Sequence, residues 1–492
     1  MVDISYYRVI SGLSRPPTLT GVTRGELRTE AVASAANCQT LRSRLILVAM
    51  PLLASGGAYR LSATCATIVA SAALLLSGCG GRAPTSAPSS QSPLSALATG
   101  SGGSNRTEHR DKPYVILISF DGFRADYMDR YAAPNFQRVA RIGVRARGLI
   151  PAFPSKTFPN HYTIVTGQYP ERHGIVANRF YDPARGKAYA LGDTLTVYDG
   201  SWYRGEPIWV TAEKQGMVTA SYFWVGTEAP IMGIRPTRWK KFDTSVRNAL
   251  RVDSALAWLE LPADQRPHLV TLYMSTVDSA GHRHGPDDPG VGRAILAVDS
   301  ALGRLLDGIE RLPMRGQVNL ILVSDHGMSA VTPQTTIPIE SLIDTTDVIL
   351  GDIGPNANLH VAQDLNRAKR LRDTLNLGLR NGRAYLRSEV PARLRYRDDA
   401  RIGDVVIIMN EHYVIGRRAR MPTLAGGTHG WDPAFTSMHG IFLAMGPGVR
   451  AGAIIPSFEN IHIYPLIAEM LGLQSPPNVQ GRAGWLRRRI TR

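Results

Sequence analysis

The chain has 492 residues, 44% of them hydrophobic and 20% charged, an ordinary globular composition with ample length for a large core. Its formal charge is +16, yet no nucleic-acid-binding motif accompanies the basic balance, so no such partner is implied. Three cysteines at positions 38, 65 and 79 leave no thiol pair for a disulfide or a catalytic couple in the body of the chain.

Residues 1–78 read as a leader. Leu61–Gly81, LSATCATIVASAALLLSGCGG, carries no charge and follows Arg60. A basic flank, an apolar stretch and then small residues is the layout of a secretory signal. Its end, Leu76-Ser77-Gly78-Cys79, resembles the lipobox of bacterial lipoproteins, in which the cysteine is lipidated and becomes the new N-terminus. Met50 is a more ordinary start for such a leader than Met1. The alternative is an uncleaved membrane helix, since about 20 apolar residues can span a bilayer. Either reading puts the rest of the chain outside the cytoplasm, the first as a lipoprotein held to the membrane through Cys79. Residues 79–111 are rich in Ser, Gly, Pro and Ala and read as a flexible linker.

Tyr114–Phe120 (YVILISF) opens an ordered region, and Leu269–Ser275 and Val318–Ser324 are similar apolar runs of strand length. Such runs suit central strands of a parallel sheet covered on both faces. Helical patterns alternate with them: NFQRVARIGV after Pro134, IWVTAEKQG up to Gly216, and a face marked by Ile295, Val298, Leu302, Leu305 and Ile309. This alternation predicts an α/β doubly wound fold with a mostly parallel central sheet and helices on both faces. Residues 330–427 break the rhythm and read as an inserted cap subdomain between a first core part (112–329) and a C-terminal part (428–492). Much of the positive charge falls there, with eleven Lys/Arg against four acids between Arg367 and Arg401. A solvated basic face is the plain reading, and attraction to anionic substrates or membrane the functional one.

Between the first two strands lies Pro151–Gly174, PAFPSKTFPNHYTIVTGQYPERHG. Ser155, Lys156 and Thr157 are fenced by prolines at 151, 154 and 159, and Tyr162, Val165 and Tyr169 follow at helical spacing. A helix start suits an anion, and a hydroxyl held there suits attack on phosphorus. Thr is also an ordinary N-cap, so the loop alone leaves both roles open.

Each apolar strand run ends in a residue of metal-ligand type: Asp121 after the first, Asp278 with His282 four residues on after the second, and Asp325-His326 after the third. Ligands bind at the carboxyl ends of strands in open α/β sheets. Asp and neutral His offer lone pairs suited to Zn²⁺ and similar ions. His429, between Gly427-Thr428 and Gly430, joins the set, with His161, His284 and His439 as competitors.

SFDGFRADY, PAFPSKTFPNHYTIVTGQYPERHGI, FWVGTEAPIMGIRPTRW, YMSTVDSAGHRHGP, VSDHGM and GTHGWD, in that order, resemble the nucleotide pyrophosphatase/phosphodiesterase family of the alkaline phosphatase superfamily. The resemblance covers roughly residues 112 to 485. It implies an extracytoplasmic two-zinc phosphodiesterase that releases nucleoside 5′-monophosphates from diester or pyrophosphate bonds. Asp121, Thr157, Asp325 and His326 would bind one zinc and Asp278, His282 and His429 the other. Thr157 would be the nucleophile, forming a phospho-threonine, and Asn178 would hydrogen-bond the phosphate. Phe158 and Tyr273 match positions that sandwich a nucleobase, while Phe242 stands where relatives often have Tyr. The family also contains enzymes that cleave choline- and lipid-bearing diesters, and a phospholipid-type or phosphonate diesterase on the same metals is the alternative. His173 would shape its loop rather than act as an acid.

Overall fold

The computed structural model describes residues 103–362, 364–422 and 425–491. The expected leader, Met50, Cys79 and the linker up to residue 102 lie outside the described residues. No helix among the described residues is long and apolar enough to cross a membrane.

Eight strands form the central sheet: β1 (Tyr114–Phe120), β2 (Val144–Ala146), β3 (Thr219–Tyr222), β4 (Arg238–Lys240), β5 (Leu269–Met274), β6 (Val318–Val323), β7 (Phe442–Met445) and β8 (Ala453–Ile455). Their spatial order is β8-β2-β7-β6-β1-β5-β3-β4. Every neighbouring pair is parallel except the two that involve β7, which runs antiparallel to both β2 and β6.

The apolar runs are continuous because both faces of these strands are covered, and the period of two divides each strand between two cores. On β1, Val115 and Leu117 enter one apolar cluster while Ile116, Ile118 and Phe120 enter the other. On β6, Ile321 and Val323 go to the first, and Leu320 and Leu322 to the second.

The helices that cover these faces follow the expected patterns. They include α1 (Pro134–Ile142), α2 (Thr157–Thr166), α3 (Asn248–Leu259), α4 (Thr276–His284), α5 (Pro289–Arg311) and α6 (Ile463–Leu471). Ile295, Val298, Leu302, Leu305 and Ile309 are the buried face of α5 and pack in the second core, whereas α6 buries Ile463, Leu466 and Ile467 in the first. α2 ends one turn earlier than the apolar spacing suggests. Gly167 takes the left-handed conformation at φ 63° and closes the helix, so Tyr169 lies beyond it and precedes a separate short turn, Pro170–His173.

Between β6 and β7 the chain builds a second, four-stranded antiparallel sheet from Ile349–Leu350, Asn356–His360, Val405–Met409 and Gly382–Leu386, in that spatial order. A third apolar cluster, including Leu359, Leu375 and Ile407, lies there and takes in Trp431 and Met438 from outside it. Ser329–Val331 pairs antiparallel with Gly426–Thr428, bringing the two ends of this excursion together.

Candidate active site

β6, β1 and β5 are adjacent and parallel, with Ser119 level with Val323 and Phe120 level with Met274. Their carboxyl ends therefore finish side by side, and the acids that follow them meet. Asp121 donates its backbone N–H to the Met274 carbonyl and accepts that of Asp278 on its own carbonyl, at 3.0 Å each. Gly122 makes this junction possible: it sits at φ 67°, and a Cβ there would lie 2.8 Å from the Asp278 Cα.

Six of the expected side chains gather into two groups, Asp121–Asp325–His326 and Asp278–His282–His429, the potential ligand atoms of each lying within 4.8 Å of one another. The groups adjoin, since the rings of His326 and His429 stack at 3.4 Å between centroids. Asp278 is close to both of its histidines, its Oδ1 3.4 Å from His282 Nε2 and 3.7 Å from His429 Nε2.

Each histidine is oriented through its other nitrogen. Nδ1 lies 2.8 Å from the Gly427 carbonyl in His282, 2.8 Å from the Gly327 carbonyl in His326, and 2.9 Å from the Ser155 carbonyl in His429. A carbonyl only accepts, so Nδ1 carries a proton in all three, and in the neutral ring Nε2 is left to present its lone pair to the site. The acids show the complementary need. Asp121 Oδ1, Asp278 Oδ1 and Asp325 Oδ1 are buried without a hydrogen-bond donor, while Asp325 Oδ2 faces His326 Nε2 at 2.9 Å.

Burial, reinforced by the charges of Asp325 and Asp278, raises the Asp121 carboxyl well above its usual range. Burial opposes ionisation of Asp325 too, but His326 and His161 bring it well below that range. His429 is held well below the ordinary imidazole value by burial and by its His326 and His282 neighbours. Bare carboxylate oxygens facing oriented, lone-pair nitrogens are the donor set of a hard-to-borderline divalent cation. The residues present fit two such ions.

The Ser-Lys-Thr triplet is tied down residue by residue. Ser155 donates its hydroxyl to the Trp431 carbonyl at 2.7 Å. Lys156, only 4% exposed, reaches Asp352, in the segment between β6 and β7, at 2.8 Å. Thr157 is the first residue of α2, its Oγ1 3.2 Å from His326 Nε2 and thus beside the first group. Lys156 holds the N-cap position, without a side-chain cap, so Thr157 does not serve as the helix cap. Asn178 accepts the Phe158 N–H on Oδ1 at 2.9 Å, which leaves its Nδ2 hydrogens as donors.

Tyr273 is placed differently from a plain stacking wall. Its hydroxyl donates to Asp121 Oδ2 at 2.6 Å, and its ring meets His161 and Phe242 edge-on at 5.2 and 5.9 Å. Phe242 is the more exposed ring, at 41%, while Phe158 is partly buried and 6.2 Å from Tyr189. Of the competing histidines, His161 lies under the site with Nδ1 3.3 Å from Asp325 Oδ2, while His439 contacts the Pro433 carbonyl instead. Burial pushes His173 down to about 3, and it hydrogen-bonds Thr163 and the Ile175 N–H, a neutral loop-shaping group.

Sequence reasoning missed the Lys156–Asp352 pair and the Tyr273 hydroxyl, and it took His161 for a competing ligand where the structure makes it a support beneath Asp325. Removing one partner of a buried ion pair costs about 3–5 kcal/mol. Asp352 is slightly exposed, so Asp352→Ala is expected to destabilise the protein by about 3 kcal/mol. Denaturant unfolding would measure this, and the Lys156→Met/Asp352→Leu pair should recover most of it. An unchanged midpoint in Asp352→Ala would show that the pair does not hold the loop.

Residues 115–432 match the family described as type I phosphodiesterase / nucleotide pyrophosphatase. A venom phosphodiesterase of Crotalus durissus collilineatus is 36% identical over 74% of this chain and 45% of its own length. Ectonucleotide pyrophosphatase/phosphodiesterase family member 3 of Rattus norvegicus is 35% identical over 75% of this chain and 43% of its own. The chain thus spans under half the length of these curated relatives. Among solved structures, murine ectonucleotide pyrophosphatase / phosphodiesterase 5, in an inactive threonine-to-alanine form in complex with AMP, superposes with a TM-score of 0.73. It is 31% identical, covering 77% of this chain and 100% of that one.

Proposed function

Because the chain belongs to the type I phosphodiesterase / nucleotide pyrophosphatase family, we propose that it is an extracytoplasmic phosphodiesterase that uses two zinc ions. It hydrolyses phosphodiester or pyrophosphate bonds to release nucleoside 5′-monophosphates through a phospho-Thr157 intermediate. The observation that carries this reading is the position of Thr157 Oγ1, at the start of α2 and 3.2 Å from His326 Nε2. Asp121, Thr157, Asp325 and His326 would hold one zinc, and Asp278, His282 and His429 the other. When bound, zinc supplies positive charge that favours ionisation of a hydroxyl and neutralises phosphoryl oxygens.

The chain's own groups do the rest. In the first turn of α2 the Phe158 N–H is taken by Asn178, Pro159 has none and the Asn160 N–H bonds the Lys156 carbonyl, so the Thr157 N–H is the backbone donor left for the phosphoryl group. Asn178 adds its Nδ2 hydrogens, its amide oriented by the bond from Phe158. Thr157 Oγ, its proton lost to solvent, attacks phosphorus, the bond to the leaving oxygen breaks in line and that oxygen takes up a proton, and the nucleoside 5′-phosphoryl group rests on Thr157. Water then attacks the same phosphorus, releasing the nucleoside monophosphate and restoring the hydroxyl.

Phe158 and Tyr273 are the base-binding pair in this reading, with Phe242 beside Tyr273. Stacking on aromatic side chains is worth roughly 1–3 kcal/mol per base. The AMP complex of the murine relative supports a nucleotide as substrate. Lipidation at Cys79 would hold the enzyme on the outer side of a bacterial membrane, with residues 330–427 as a cap subdomain.

The test is a rate comparison on a nucleotide diester, a choline phosphodiester and a phosphate monoester. The nucleotide diester is expected to lead the other two in kcat/KM by about tenfold or more, the worth of one stacked base. A lead for the choline diester would move the assignment to the phospholipid-type reading.

A further inference from the structure

α4 has two working faces. Asp278 and His282 lie four residues apart on the face turned to the metal-ligand groups. Thr276, Ala280 and Arg283, at the i, i+4, i+7 spacing of a different face, line a separate cavity of about 460 Å³. The N-terminal turn of α3 and the start of α5 complete its walls. That volume falls in the range of small-molecule pockets, roughly 300–1,000 Å³.

The lining is chemically one-sided. Arg247, Arg251, Arg283 and Arg293 all contribute, His284 joins them, and no carboxylate belongs to the lining. Arg251 is the informative member. It is only 3% exposed, yet its described contacts are the Tyr273 carbonyl at 2.8 Å, the Val246 carbonyl at 3.1 Å and the face of Phe223 at 4.9 Å. No carboxylate stands within ion-pair distance of it among the described residues. A buried guanidinium is ordinarily paired, because desolvating an unpaired charge is costly. Its pKa is lowered from the ordinary value, with burial as the largest cause, outweighing the opposite pull of Tyr273, Tyr222 and the Asp243 carboxylate nearby. Arg247 and Arg293 are exposed at the same cavity and form no ion pair with a described carboxylate.

We propose that this arginine-lined cavity behind the metal-ligand helix is a second anion site, built for a soluble phosphate-bearing ligand. Planar guanidinium forks match phosphate oxygens two at a time, and the Ser279 and Thr276 hydroxyls add neutral donors at the same wall. A concave cavity of this size encloses a small molecule with one or more phosphate groups, whereas a membrane headgroup layer would meet a convex basic face. Through Arg251 the site touches the backbone of Tyr273, whose hydroxyl holds Asp121, so its occupant sits against the support of the metal-ligand groups without sharing their ligands.

The experiment is calorimetric titration of the full chain as purified, with and without a chelator. The probes are inorganic phosphate and, in a second arm, phosphatidylcholine vesicles containing phosphatidylglycerol. In chelator, the parent is expected to keep a phosphate-binding event that the Arg247→Ala/Arg293→Ala variant weakens by about tenfold, the loss typical of charge-assisted hydrogen bonds. Both arginines are exposed, so that variant should fold and hydrolyse a small aryl phosphodiester at the parent rate. Arg251→Lys, which keeps the charge and loses the fork, should weaken phosphate as well. Complete loss of parental phosphate binding in chelator, or equal binding by the double variant, would overturn the site. A difference confined to the vesicle arm would overturn the soluble-ligand assignment. Because the readout is independent of the metals, failure here leaves the catalytic reading standing, and failure of that reading leaves this result interpretable.

Discussion

Thr157→Ala is expected to lower turnover of a nucleotide diester by a factor on the order of 10⁴ or more, the scale seen when a catalytic nucleophile is removed. The size follows from what Thr157 does in this molecule. Its Oγ1 is the hydroxyl found 3.2 Å from His326 Nε2, and no side-chain cap is lost, since the N-cap position belongs to Lys156. Stability should change little, because Thr157 is only partly buried and the helix is fastened by other residues of the loop. A plain N-cap would give the opposite signature, a loss of about 1 kcal/mol in stability with activity kept. Thr157→Ser retains the hydroxyl and should keep a measurable fraction of the rate. Turnover near the parent level in the alanine variant, with folding confirmed, would remove Thr157 from the mechanism.

The same residue illustrates how far the sequence carries. The prolines around Ser155-Lys156-Thr157 announce a stiff turn into a helix, and that turn is present, but what stiffens it is long-range. The bonds come from Trp431, Asp352, His429 and His326, remote segments that no local pattern connects to the loop. The ligand-type residues were legible for a simpler reason. Strands buried on both faces read as unbroken apolar runs, so the first acid after each run stands out, and parallel pairing makes those ends coincide.

Direction of pairing was harder to see. Nothing local in Phe442–Met445 sets its direction, and only its neighbours show that it runs against β6 and β2. Tyr273 shows a limit of another kind. One position on β5 carries a ring that meets Phe242 and a hydroxyl that meets Asp121, and the sequence pattern displays the ring alone. The arginine-lined cavity is assembled from the ends of three helices, and composition registers it only as positive charge.

Metal removal is expected to produce the other large effect. The Oδ1 atoms of Asp121, Asp278 and Asp325 lie in the interior with no donor of their own, and Asp121 is raised by burial and by its two acidic neighbours. Such a cluster is repulsive by itself, and a bound cation reverses the sign of that interaction. Chelation should therefore do two things together. Turnover should fall to background and return when Zn²⁺ is restored, with about two zinc ions per chain in the active form. The melting temperature should fall as well, since a ligand held at about 1,000 times its dissociation constant contributes about 4 kcal/mol to the folded state. Tyr273→Phe offers a graded version of the same experiment. It removes the 2.6 Å bond to Asp121 and keeps the ring. Losing such a supporting hydrogen bond typically weakens metal binding by about 10–100-fold. The variant should accordingly lose activity in dilute chelator before the parent does and regain it at higher zinc, with KM for the nucleotide unchanged. If chelated protein kept full activity with its metal content verified as zero, the two groups would be buried acid–histidine networks without a metal, and the assignment of Asp121, Asp278, His282, Asp325, His326 and His429 would fall with them.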